Sequence, residues 1–299
     1  MEYPFDEEAY LARYPDIAAA VKSGTIKSGL EHFEQAGRAE GRTGVSCETA
    51  AALGRQWGKN LCSMSPPVAG GGNASAGRLE RYFDAHRTGA GIWKWRHYFP
   101  IYERHFSKFR GTDFHFLEIG IYSGGSLCMW RDYFGPAAHI YGVDIQPDCK
   151  VYETDRTKIF IGDQSDPSFW EEFRSRVPTL DVVVDDGGHT FHQQAISFEQ
   201  LLPHLRSGGV YLCEDVAGED NPFAAFIAGM APLLNPNANK ATINADDPTR
   251  SLTFETTTFQ RIINSISLYP LVTVIELNSV QPFEFCAPKH GSVWQPFVP

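Results

Sequence analysis

FHFLEIGIYSGGS, residues 114–126, decides the fold. An apolar run ends at Glu118, glycines follow at positions 120, 124 and 125, and SLCMWRDYF then takes up helical spacing. That is a strand, a tight turn and a helix. The alternation continues downstream. HIYGVDI (139–145), KIFIGD (158–163), LDVVVDD (180–186) and GGVYLCEDV (208–216) are short apolar runs, and DPSFWEEFRSR and HQQAISFEQLLPHLR between them are helical. TTFQRIINSI (257–266) reads as a helix, with LVTVIELN and FEFCAPK as late strands. The pattern predicts an α/β fold: a mostly parallel, Rossmann-like sheet with helices on both faces.

Upstream, the segment from Arg78 to Phe106 is densely aromatic and reads as helical at each end around a Thr88–Gly91 turn. Residues 1–42 read as a small helical module, broken at Pro15 and closed by Gly37 or Gly41. Residues 43–77 have the Gly, Ala, Ser and Pro content of a flexible linker. The third division, 78–299, holds the sheet.

The chain has 299 residues, 42% of them hydrophobic, enough for one large core and a small extra unit. The formal charge of −10 disfavours nucleic acid as a partner. No run of 18 apolar residues and no apolar leader is visible, so neither a membrane partner nor secretion is expected. The cysteines are scattered without a CxxC pair, which fits reduced thiols in a cytoplasm.

The glycine turn after the first strand has the spacing E-x-G-x-x-x-G-G, from Glu118 through Gly120 and Tyr122 to Ser126. It is neither G-x-G-x-x-G nor a P-loop. The helix beginning near Ser126 can present N–H groups to a carboxylate. Asp144, at the end of the second strand, can accept ribose hydroxyls, and Asp163 and Gln164 end the third strand where an adenine would lie. An ordinary strand-to-helix loop would carry the same glycines. Three polar strand ends on one sheet edge point to an adenosine ligand without a bound phosphate.

Two further strand ends are acidic: Asp185-Asp186-Gly187-Gly188-His189 and Glu214-Asp215. In a parallel sheet these ends are neighbours, and crowded carboxylates repel. A hard divalent cation relieves that, Mg²⁺ above all, with Mn²⁺ or Ca²⁺ as alternatives. Either Asp185 or Asp186 can be the ligand. Carboxylates at strand ends also serve as helix caps. His189 is placed to take a proton from a metal-activated hydroxyl, with His192 a weaker candidate.

Together, LEIGIYSGGSLCMWRDYF, the GVDI strand, GDQSDPSFW, VVVDDGGHTFHQQAISFEQLLPHLRSGGVYLCEDV and KWRHYFPIYERHF resemble the metal-dependent sugar O-methyltransferases. These include the macrocin and mycinamicin enzymes and the cephalosporin-hydroxylase-like group. The resemblance covers roughly residues 78–299. It implies a class I methyltransferase fold, S-adenosylmethionine as donor, Mg²⁺, methyl transfer to a hydroxyl of a sugar or glycoside on a small-molecule or glycan acceptor, and a homo-oligomer. By position it implies Asp186, Glu214 and Asp215 as metal ligands and His189 as general base. It assigns Glu118, Gly120, Asp144, Asp163 and Gln164 to the donor side, where Tyr122, Ser126 and Asp185 also fall. Trp95, His97 and Tyr98 precede the first strand and are candidates to contact the acceptor. The resemblance does not account for the 1–42 module, which is similar to a module seen beside glycan enzymes. Two other readings remain: methylation of a catechol-like or polyketide hydroxyl, and a non-catalytic glycan-binding or scaffold subunit.

Overall fold

The computed structural model describes residues 5–61, 76–235, 241–243 and 251–291. The chain divides into two compact units, residues 1–73 and 74–299.

The first unit contains α1 (Glu7–Arg13), α2 (Pro15–Lys22), α3 (Gly29–His32) and α4 (Cys47–Leu61). The Asp6 carboxylate accepts from Ala9 N and caps α1, and Pro15 opens α2, where its missing N–H costs nothing. Tyr10 is buried among the rings of Phe5, Tyr14 and Phe33, and its hydroxyl lies 2.9 Å from His32 Nδ1. The composition of residues 43–77 predicts a linker, yet 47–61 form helix α4, because Ala, Leu, Gln and Lys there are good helix formers. The Ser-Pro-Gly stretch at 62–75 lies outside the described residues.

The second unit begins with α5 (Arg78–Ala85) and α6 (Tyr98–Phe106), on either side of the expected turn. Then follow β1 (His115–Ile119), α7 (Gly125–Phe134), β2 (His139–Asp144), β3 (Thr157–Ile161), α8 (Pro167–Arg176), β4 (Leu180–Asp185), α9 (Phe191–Leu201), β5 (Leu205–Cys213) and α10 (Pro222–Met230). The remaining elements are β6 (Thr242–Ile243), β7 (Leu252–Glu255), α11 (Thr258–Ile262), β8 (Ile263–Tyr269), β9 (Val272–Leu277) and β10 (Glu284–Ala287). The main sheet has the order β3-β2-β1-β4-β5-β9-β8. Strands β1 to β5 pair in parallel; β9 runs antiparallel to both β5 and β8.

Residue alternation along the strands separates two cores. Phe116, Val182, Val184, Val210 and Leu212 face α6 and α7, packing on Tyr102, Phe106 and Trp130. Leu117, Ile119, Val183 and Tyr211 face the other layer with Trp170, Phe173 and Phe198. TTFQRIINSI does not remain helical. It turns to strand at Ile263, where a side chain buried in the sheet overrides the helical spacing. FEFCAPK supplies β10, which joins β7 and β6 in a small separate sheet. No described helix is long and apolar enough to cross a membrane.

Candidate active site

The parallel register brings five strand ends to one edge. Ile119 pairs with Val143 on one side and Asp185 on the other, and Asp185 pairs with Cys213. The ladder runs on past the strands: Gly120 N donates to Val143 O, Asp186 N to Ile119 O and Glu214 N to Asp185 O. Over this edge lies a cavity of about 760 Å³. The turn 119–123, the β2 end 143–145, the β3 end 162–164, the loop 186–189 and Glu214-Asp215 all line it.

The donor-side residues divide into those that face the cavity and those that support it. Asp144 does both. Its Oδ2 accepts from Ile121 N and Tyr122 N at 3.1 and 3.0 Å, and its Oδ1 from Gln146 N at 2.9 Å. The carboxylate therefore fixes the glycine turn while lining the cavity. Tyr122, at a positive φ of 43°, stands exposed at the mouth. Asp163 accepts from Ser165 N and Oγ and is held low by those bonds. Gln164 lines the cavity, but its amide is committed, donating to Asp185 Oδ1 and Ser197 Oγ and accepting from Gly188 N. Glu118 is fully buried. It accepts from Ser126 Oγ at 2.7 Å and Trp130 Nε1 at 3.0 Å, and burial pushes its carboxyl up. Glu118 thus sits beneath the turn and does not line the cavity.

The pleat sends Asp185 and Asp186 to opposite sides of the sheet edge. Asp185 faces away from the cavity, takes hydrogen bonds from Tyr211 and Gln164, and is pushed by burial up to about 7. Asp186 lines the cavity. One ligand atom each from Asp186, His189 and Asp215 lies within 4.8 Å of the others, and His189 Nε2 is 3.6 Å from Asp215 Oδ2. The two carboxylates offer oxygen donors of the kind a hard divalent cation takes, and the imidazole stands beside them within reach of a hydroxyl bound there. Asp215 is a non-glycine residue at φ 53°, a conformation that turns its side chain out of the strand direction.

Glu214 is not in that trio. Its Oε1 accepts from Tyr102 at 2.6 Å and its Oε2 from Lys94 Nζ at 2.9 Å. Lys94 also donates to Asp186 Oδ2 at 2.5 Å and lies 3.5 Å from Glu118. Burial alone would lower the Lys94 ammonium, but Asp186, Glu214 and Glu118 outweigh it and keep it charged. Asp215 Oδ1 accepts from Tyr98 at 2.5 Å and Trp95 Nε1 at 3.1 Å. Burial and that carboxylate raise the Tyr98 hydroxyl far above its usual range.

Of the acceptor candidates, Trp95 and Tyr98 line the cavity, while His97 points to Pro270 O and does not. Residues 91–95 alternate: Ile92 and Lys94 turn inward, while Trp93 and Trp95 stand 89% and 56% exposed, both lining the cavity. In the loop after Asp215, Ala217 reaches the cavity wall. Sequence reasoning missed Tyr102 and the burial of Lys94; the GIWKWRHY segment was visible, but its inward parity was not.

Comparison with known proteins agrees with this architecture. Residues 117–216 match the Methyltransf_24 family, described as a methyltransferase domain. The chain is similar to demethylmacrocin O-methyltransferase of Streptomyces fradiae, 40% identical over 132 residues that cover 42% of this chain and 33% of that enzyme. It is likewise 40% identical over 128 residues to mycinamicin VI 2''-O-methyltransferase of Micromonospora griseorubida, covering 40% of this chain and 32% of that one. The matched region thus spans about a third of these curated relatives' length. Among solved structures, it is similar to the MycE methyltransferase of the mycinamycin biosynthetic pathway in complex with Mg and SAH. The TM-score is 0.52 at 25% identity, covering 77% of this chain and 59% of that one. The fold is that of the class I methyltransferases.

Proposed function

We propose that this chain, a class I methyltransferase by fold with relatives named as sugar O-methyltransferases, transfers the methyl group of S-adenosylmethionine to a hydroxyl of a sugar or glycoside, assisted by Mg²⁺. The observation that carries the reading is the convergence of Asp186, His189 and Asp215 on the wall of the cavity that the β1, β2 and β3 ends also line.

S-adenosylmethionine supplies an electrophilic methyl group, and a divalent cation lowers the pKa of an acceptor hydroxyl it binds. The rest falls to the chain. Asp144 and the turn 120–123 are placed to take the adenosine ribose, with Tyr122 and Ile145 flanking the mouth. Asp186 and Asp215 would hold the cation, and Lys94, Tyr98 and Trp95 fix the orientations of those carboxylates. With both its oxygens engaged, Glu214 stands behind these ligands. His189, half-exposed into the cavity, accepts the hydroxyl proton at an imidazole nitrogen. Nothing covalent forms on the protein, so positioning is its main contribution. Trp93 and Trp95 offer ring faces to the apolar face of a sugar.

Titration calorimetry tests this directly. S-adenosylmethionine should bind the protein, and Asp186→Asn should weaken Mn²⁺ binding by about tenfold or more. Absence of heat with both ligands would contradict the reading and favour a scaffold role.

A further inference from the structure

Lys94 has a side chain only 2% exposed, and it contacts carboxylates from three strand ends. Its ammonium lies 2.5 Å from Asp186, 2.9 Å from Glu214 and 3.5 Å from Glu118. Of those three, only Asp186 belongs to the trio that converges on the cavity wall. Glu118 and Glu214 are fully buried behind it, with Ser126, Trp130 and Tyr102 as their remaining donors. Without the ammonium, the buried Glu118 and Glu214 carboxylates would face each other and the cavity-lining Asp186 with no countercharge between them, an arrangement that costs several times what a surface pair does.

We infer that Lys94 is a positioning residue: a built-in countercharge that assembles the strand-end carboxylates before a cation arrives and ties the segment bearing Trp93 and Trp95 to Asp186. The inference rests on the proposed function only in taking Asp186 as a cation ligand. The site is then ordered in the absence of metal. Remove the lysine charge, and a divalent cation becomes the nearest available replacement.

The test is to melt the wild type, Lys94→Met and Lys94→Met/Glu214→Gln in EDTA and in saturating Mn²⁺, with Mn²⁺ binding read separately by electron paramagnetic resonance. In EDTA, Lys94→Met should melt roughly 5–15 °C below wild type. Mn²⁺ should raise its Tm by more than it raises the wild type's, a response that mere loss of packing would not give. The double variant, with one facing carboxylate neutralised, should recover about half of the deficit or more in EDTA. Lys94→Met within about 2 °C of wild type in EDTA would overturn the inference. So would a deficit that neither Mn²⁺ nor Glu214→Gln reduces. If the single variant does not fold, the double variant decides, since the inference requires it to fold. If the wild type binds no Mn²⁺, the proposed function fails, while the EDTA comparison still judges Lys94.

Discussion

Gly120 sits where two strand-end loops touch. Its φ is +81°, and a methyl group built there would lie 2.0 Å from the Asp186 carbonyl oxygen and 2.7 Å from Gly187 Cα. Both are backbone atoms that cannot swing aside. The glycine therefore presses the adenosine-side turn against the loop that carries Asp186 and His189. Gly120→Ala should destabilise the protein by at least about 2 kcal/mol in urea denaturation, from the left-handed backbone and the clash together. An unchanged midpoint would mean the two loops are not in contact. His189→Ala has a different signature. Turnover should fall about a hundredfold or more while S-adenosylmethionine affinity is kept. Near-normal turnover would remove the histidine from the mechanism. The choice between Asp185 and Asp186 was legible in part. Residues 182, 184 and 186 share a strand face, as do 210, 212 and 214, so the parity was present in the sequence. Which face carried the cavity was not. Lys94 was harder still, because its partners Asp186 and Glu214 are 92 and 120 positions away, and no local spacing encodes such contacts.

At the scale of elements, α6 is fastened to the sheet by Glu276 of β9. His105 lies 3.5 Å and Lys108 3.3 Å from its Oε1. His105 first, and then Lys108, hold the carboxyl down to about 2. An unfolded glutamate titrates near about 4.3, so the folded state binds the proton less readily. The stabilisation is therefore present above that value and is lost as pH falls toward 2. After allowance for solvent screening, Glu276→Gln should cost about 1 kcal/mol at neutral pH. That deficit should shrink as thermal melts are taken from about pH 4.5 downward. A deficit that stays constant over that range would show that the ion contacts contribute nothing. The strands and helices from β1 to β5 were readable because buried parallel strands are continuous apolar runs. The helix expected over 257–266 failed where Ile263 and Ile266, β-branched and packed on the sheet side, follow a capped turn of only five residues. Strand β7, LTFE, was not anticipated, because three half-buried residues and an exposed glutamate give no apolar run to detect.

Across the whole molecule, every described residue lining the cavity falls between Gly91 and Leu271, within the second unit. A chain of residues 74–299 should therefore bind S-adenosylmethionine within about threefold of the full protein by calorimetry, a difference under 1 kcal/mol. A loss beyond tenfold would give the first unit a part in the site. Among its described residues, that unit buries little besides Tyr10 and Ile17.

The most direct test of cation-assisted methyl transfer is a mass-resolved assay of sugars and glycosides incubated with the protein and S-adenosylmethionine, with Mg²⁺ or with EDTA. At least one acceptor should gain a single methyl group with Mg²⁺, and EDTA should abolish the gain. Transfer that proceeds equally well in EDTA would contradict a cation at Asp186 and Asp215.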